Sequence, residues 1–66
     1  MADKITVGKR LRELRGDRRR EEVALAVGVT SQAISNYETG TRTPPDQTKD
    51  KIAAYFGKSV QEIFFD

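Results

Sequence analysis

The stretch "EEVALAVGVTSQAISNYETG", residues 21–40, decides how the chain folds. A glycine near its middle separates two short runs in which apolar residues recur at the spacing of a helix. Val23 and Val27 form the apolar edge of the first run. In the second run, Ile34 and Tyr37 are the apolar pair at i and i+3. Two helices joined by a turn of about three or four residues that contains glycine are the pattern of a helix-turn-helix.

The turn between the two runs has residue preferences of its own. Gly28 permits the positive φ that ends one helix and begins the turn. Val29 is expected to plug the turn into the core, and Thr30 suits the N-cap of the next helix. We therefore predict helix two over residues 19–27 and helix three over residues 31–39.

The rest of the chain predicts three more helices. Helix one covers residues 6–16, with Thr6 as its N-cap. Helix four begins near Pro45, because proline suits the first turn of a helix. Ser59 and Glu62 have capping-box spacing at the start of helix five. No segment alternates like a strand, so the predicted fold class is all-α, a compact bundle of five short helices.

Composition excludes several classes of function. The chain contains no cysteine and no histidine, which removes disulfides, thiolate ligands, and the commonest metal ligand and general base. We therefore predict no metal, no cofactor, no small-molecule ligand and no enzymatic activity. No apolar run approaches the roughly 20 residues that span a bilayer, so we expect no membrane association and a cytoplasmic location. The length predicts one domain over residues 1–66.

Positive charge is concentrated near the start of the chain. The net charge is only +2. Residues 9–20 nevertheless hold seven basic and two acidic residues, whereas residues 21–66 hold four basic and seven acidic ones. A basic block on a nearly neutral chain suggests a polyanionic partner. Charge alone fits an ordinary solvated helix face at least as well.

The outward face of helix three carries short, uncharged polar side chains. These are Ser31, Gln32, Ser35 and Asn36, with the small Ala33 between them. Glutamine and asparagine can pair with adenine N6 and N7 in the major groove, and serine can donate or accept a hydrogen bond. Each residue alone would fit any surface. Their spacing after the glycine turn favours a helix that reads DNA bases.

Three segments together resemble a known family. They are "VGKRLRELR", "EEVALAVGVTSQAISNYETGTRTP" and "KIAAYFGKSVQEIF", which cover nearly the whole chain. In order and spacing they are similar to the Cro and lambda-type repressor helix-turn-helix family, whose members are often called xenobiotic-response-element-like regulators. The resemblance implies a five-helix domain whose third helix enters the major groove of double-stranded DNA.

The resemblance also implies which residues contact DNA. Base contacts fall on Ser31, Gln32, Ser35 and Asn36. Phosphate contacts fall on Arg19, Arg20, Thr30, Thr39 and Arg42. Glu38 matches a family acid that pairs with an arginine of helix one, which here is Arg15. We expect this pair to orient helix three and, as a surface pair, to contribute about 0 to 1 kcal/mol.

Two segments depart from the family pattern. Residues 18–20 are three arginines, where the family commonly has an apolar residue, a Ser or Thr N-cap and a glutamine. We therefore expect a looser join between helices one and two, with Asp17 capping an earlier start, and a larger share of attraction to the DNA backbone. In helix four, positions that are often apolar hold Asp46, Lys49 and Asp50.

These features predict a sequence-specific regulator of transcription, most simply a repressor that binds a palindromic operator as a homodimer. A partner subunit would add burial that a domain of this size lacks. The expected dimer interface consists of Val60, Phe64 and Phe65. The alternative is a helix-turn-helix interaction module, such as an antitoxin or an adaptor, to which the adjacent phenylalanines would also be suited.

Overall fold

The computed structural model describes residues 2–65, and this part of the chain contains helices and no strand. None of these helices is long and apolar enough to cross a membrane. The all-α class is confirmed, with the helix-turn-helix at the second and third helices. The five helices are α1 (Lys4–Arg15), α2 (Arg20–Val27), α3 (Ser31–Thr39), α4 (Asp46–Phe56) and α5 (Val60–Phe64).

All five helices contribute to one apolar core. The apolar pairs predicted for α2 and α3 all point into it, and the most completely buried side chains come from α2, α4 and α5. Helices this short are marginal in isolation, so their stability comes from this shared burial. The core consists of Val7, Leu11, Val23, Ala24, Val27, Ile34, Tyr37, Ile52, Ala53, Ile63 and Phe64.

Helix α1 crosses α3 with almost no space between the two backbones. Gly8 is buried at the crossing, and a Cβ atom there would overlap the carbonyl oxygen of Glu38 and lie 2.9 Å from that of Tyr37. Both obstructing atoms belong to backbone, which cannot turn aside as a flexible side chain can. A glycine at this position therefore lets α3 lie directly against α1.

The helix ends confirm one predicted cap and correct another. In α5, Ser59 Oγ accepts from the Glu62 amide at 3.0 Å, and the Glu62 carboxylate accepts from the Ser59 amide at 2.9 Å, which completes the predicted capping box. The hydrogen bond that the Ser59 amide donates to the carboxylate lowers the pKa of Glu62. The expectation that Thr6 caps α1 is wrong. Asp3 is the N-cap, and its carboxylate accepts from the Thr6 amide at 2.8 Å, so α1 begins earlier than its apolar stripe indicates.

The join between α1 and α2 is held by an arginine. The Arg18 guanidinium carbon lies 5.4 Å from the ring centroids of both Tyr55 and Phe56. Its Nη1 donates to the Leu14 carbonyl at 3.3 Å, and the Arg15 guanidinium donates to the Arg18 carbonyl at 2.7 Å. Cation–π contacts of this kind replace the contacts of an apolar plug. The looser join expected from the sequence is therefore not what the structure shows.

A lysine completes the inner face of α4. Lys49 is buried, and its Nζ lies 5.6 Å from the ring centroids of Phe64 and Phe65 and 3.7 Å from Asp46 Oδ1. The aliphatic stem of a lysine can cover apolar surface while its ammonium group stays near water. Lys49 thus packs on the inner face of α4 at a position where the family often has an apolar residue.

Helix α5 places the two adjacent phenylalanines differently. Phe64 is only 1% exposed and belongs to the core, so its inclusion in the dimer interface is wrong, because its ring offers no surface to a partner. Phe65 and Val60 are half-buried and pack against the core from outside. Arg10 Nη1 donates to the Ile63 and Phe65 carbonyls, each at 3.0 Å, and thereby fixes the end of α5 against α1.

Candidate nucleic-acid interface

The turn before α3 is built as its sequence predicts. Gly28 adopts the left-handed conformation, with φ 77° and ψ 33°, and a side chain there would be strained. The Val29 amide donates to the Ala24 carbonyl at 2.9 Å, which closes the end of α2. Thr30 is extended, and its hydroxyl accepts from the Ala33 amide at 3.1 Å. The orientation of α3 at its start is therefore set by local hydrogen bonds.

The four residues expected to read bases share one face of α3. Ile34 and Tyr37 are buried on the opposite face. Gln32 is exposed, whereas the other three are half-buried. This face is uncharged and holds donors and acceptors of short or medium reach. Its residues are Ser31, Gln32, Ser35 and Asn36.

An open groove separates this face from the start of α2. It has a volume of about 240 Å³. One wall comes from Arg20 and Glu21 of α2, and the other from three residues of α3, namely Ser31, Gln32 and Ser35. The groove therefore brings a guanidinium from α2 beside the polar face of the next helix, although the two are more than ten positions apart in the sequence.

Two of the polar residues on α3 are bonded to each other. Gln32 Nε2 donates to Asn36 Oδ1 at 3.1 Å, one helical turn further along the chain. Pairs at i and i+4 face each other on a helix surface, so the geometry is favourable. The sequence predicts each residue as a separate base contact and does not indicate this hydrogen bond.

The residues expected to contact phosphates lie on both sides of α3. Arg19 is exposed and occupies the N-cap position of α2, and no side chain caps this helix. The expectation that Asp17 caps an earlier start of the helix is therefore wrong. On the far side, Arg42 is exposed, and its amide donates to the Asn36 carbonyl at 3.2 Å. The Thr39 hydroxyl also donates to that carbonyl, at 3.3 Å. The loop after α3 is thus fixed to the helix it follows.

The expected orienting pair is present, and it is buried. Arg15 Nε donates to Glu38 Oε2 at 2.5 Å, and Arg15 Nη2 donates to Oε1 at 3.2 Å. The side chains of Arg15 and Glu38 are only 9% and 6% exposed. The hydrogen bonds that Arg15 donates to Glu38 raise the pKa of Arg15. The expectation of a weak surface pair is therefore wrong, because these two charges lie where α1 and α3 meet and have little contact with water.

A second arginine shares the same carboxylate. Arg20 Nε lies 3.3 Å from Glu38 Oε1, and the Arg20 side chain is 47% exposed. One end of this guanidinium is thus tied to the buried acid, while the rest borders the groove beside α3. No pattern in the sequence points to this contact, because Arg20 and Glu38 approach only after α2 and α3 have packed together.

Comparison with known proteins agrees with this geometry. The family model described as helix-turn-helix matches residues 9–63. The chain belongs to the helix-turn-helix family, in its Cro and lambda-repressor branch. The matched segment includes both helices of the motif, the basic residues before them, the whole of α4 and α5 as far as Ile63. The resemblance noted in the sequence is therefore confirmed.

Individual relatives cover most of this helix-turn-helix chain. The restriction-modification controller protein C.AhdI from Aeromonas hydrophila has 27% identity and a TM-score of 0.82 over 91% of this chain and 94% of that one. The P22 c2 repressor, solved with a synthetic operator, has 24% identity and a TM-score of 0.84 over 86% and 89%. The cryptic phage CTXphi transcriptional repressor RstR of Vibrio cholerae is 36% identical over 59 residues, or 86% of this chain. The matched region is 53% of RstR, so the chain spans about half the length of that relative.

Removing the charge of Glu38 should destabilise the whole domain. In Glu38→Gln, the buried Arg15 loses the carboxylate that it is paired with, and breaking such a pair costs roughly 3 kcal/mol or more. Chemical denaturation followed by circular dichroism measures the change in the free energy of unfolding. Asp50→Asn, the same kind of substitution at an exposed acid of α4, is the matched control and should leave stability unchanged. Equal stabilities for the two variants would show that the buried pair does not hold the fold.

Proposed function

We propose that this chain is a sequence-specific transcriptional regulator that binds double-stranded DNA and acts as a repressor. The observation that carries the proposal is the uncharged polar face of α3. Exposed arginines lie on both sides of this face, Arg19 and Arg20 on one side and Arg42 on the other. A helix that only covered a core would gain nothing from this arrangement. The helix-turn-helix relatives named as repressors favour the same function.

The polar face of α3 suits the major groove. That groove is about 12 Å wide and admits one α-helix. Ser31, Gln32, Ser35 and Asn36 are short enough to let the helix approach closely, and Ala33 adds no bulk between them. Because none of them is charged, they discriminate by hydrogen bonding to base edges rather than by attraction to any phosphate. We assign direct base contacts to this face.

The cations and hydroxyls on either side suit the DNA backbone. Arg19 and Arg20 lie at the start of α2, whose first amides have no side-chain cap and form the positive end of the helix. Thr30 accepts one hydrogen bond as an N-cap, which leaves its hydroxyl hydrogen to donate to a phosphate. At the other end, Thr39 is the last residue of α3 and Arg42 lies in the loop that follows, and both are exposed. We assign phosphate contacts to these five residues.

We infer that the active form is a homodimer on a palindromic operator. One core joins all five helices, so we take residues 1–66 as one DNA-binding domain. Such a small domain gains stability from further burial. Val60 begins α5 and Phe65 follows its last residue; both are half-buried, and their remaining apolar surface suits an interface between two copies. Two copies would place their recognition helices on successive major grooves of the operator. The dimer would repress transcription by occupying that operator, and we propose that it does so in the cytoplasm.

The alternative of an antitoxin or adaptor module receives less support. It depended on a partner surface made by two adjacent phenylalanines, and Phe64 is internal. Phe65 is half-buried, and we assign its remaining surface to the proposed contact between two copies.

Selection from a random duplex pool tests the proposed function. We expect the protein to enrich one sequence made of two inverted half-sites, with centres about 10 base pairs apart, the repeat that places two recognition helices on one side of the duplex. Enrichment of no sequence at moderate salt would contradict specific regulation. A motif without inverted symmetry would contradict the dimer alone.

Arg19 and Arg42 should each contribute one phosphate contact per subunit. In the proposed homodimer each substitution removes two contacts, so Arg19→Gln and Arg42→Gln should each reduce the slope of log K against log salt by about 0.9 per subunit, or about 1.8 per dimer, while the selected sequence stays the same. Lys58→Gln is the matched control, because it removes one exposed charge beside Glu62 and Arg10, away from α3. Binding titrations at several salt concentrations give the slopes. An unchanged slope in both arginine variants would show that neither arginine contacts a phosphate.

A further inference from the structure

The hydrogen bond between Gln32 and Asn36 limits what either side chain can offer to DNA. Gln32 is exposed, and a free glutamine there would sample many rotamers. Its Nε2 instead donates to Asn36 Oδ1 at 3.1 Å. On its other side, Gln32 borders the groove whose opposite wall contains Arg20. The bond therefore favours one orientation of the glutamine amide before any DNA binds.

The bond to Asn36 leaves the Gln32 amide with a defined set of hydrogen-bond donors and acceptors. An amide nitrogen carries two hydrogens, and the amide oxygen accepts. With one hydrogen given to Asn36, Gln32 keeps one donor and one acceptor. Adenine presents one acceptor, N7, and one donor, N6, in the major groove, whereas guanine presents two acceptors, N7 and O6. The bonded glutamine matches adenine and cannot satisfy both acceptors of guanine.

We propose that Gln32 and Asn36 read one base pair as a unit, in which Gln32 contacts adenine and Asn36 is a positioning residue. This rests on the proposed function and refines it, since two residues on the polar face then specify one position of the half-site rather than two. Asn36 acts through its oxygen, which fixes Gln32, and its amide nitrogen is not needed for recognition.

Substitutions at both positions separate this arrangement from independent reading. The measurement is the relative affinity for duplexes that differ from the selected site by one base pair at a time. Gln32→Ala should reduce the preference for adenine at one position roughly 5- to 150-fold, the range of a paired base contact. Asn36→Ala should reduce the preference at that same position about 2- to 10-fold, because Gln32 must then be ordered on binding.

Asn36→Asp provides the decisive variant. Aspartate keeps an oxygen that can accept from Gln32 Nε2 and lacks the amide donors. We expect it to bind all duplexes more weakly, because its charge repels phosphates, and to keep the adenine preference of the unchanged protein. Ser35→Ala is the control on the same face and should leave the Gln32 position unaffected.

Two outcomes would overturn the proposal. In the first, Asn36→Ala relaxes a base pair other than the one relaxed by Gln32→Ala, which means that each residue reads its own position. In the second, Asn36→Asp loses discrimination as fully as Asn36→Ala. Either result leaves the proposed function standing, because the unchanged protein still selects a site. Failure of the unchanged protein to select any site would instead reject the proposed function, and the paired reading with it.

Discussion

The rest of the structure depends on how α3 is held against α1. The buried carboxylate of Glu38 accepts two hydrogen bonds from Arg15, and Gly8 lets the backbones meet beside that pair. Burying two charges is costly and is repaid only by close, well-directed contacts. The forked guanidinium supplies two such contacts in one plane. The position of the recognition helix is therefore specified by directional bonds as well as by apolar packing.

Three consecutive arginines have different roles around this contact. Arg18 packs over Tyr55 and Phe56 and closes the join between α1 and α2. Arg19 is exposed at the N-cap of α2. Arg20 shares Glu38 with Arg15 and presents the remainder of its guanidinium to the groove. The basic run is thus not a uniform patch of charge, and only part of it can attract the DNA backbone.

The fold was largely predictable because its signals are local. Gly28 in the left-handed conformation, the Thr30 cap and the bounds of α3 follow from residues close in the sequence. The wrong predictions arose where two local signals competed, or where residues far apart in the sequence come into contact. Asp3, rather than Thr6, caps α1. The burial of Lys49 and the inward position of Phe64 depend on how α4 and α5 pack, which no short pattern encodes.

The candidate site likewise combines features that the local sequence predicts with contacts that it does not. The face of α3 could be predicted from helical spacing, because Ile34 and Tyr37 fix which side is buried. The contact of Arg20 with Glu38 could not, since it joins the start of one helix to the end of the next. The bond from Gln32 to Asn36 has the right spacing, but spacing alone does not show whether two amides meet.

The central claim, that the exposed face of α3 meets the bases, is tested most directly by an NMR titration of isotope-labelled protein with its selected duplex. The largest amide shifts should occur over residues 31–36 and at Arg20, with smaller ones in the loop containing Arg42. Specific binding that shifts chiefly the residues around Leu25, on the outer surface of α2, while the amides of α3 stay unchanged would contradict the claim.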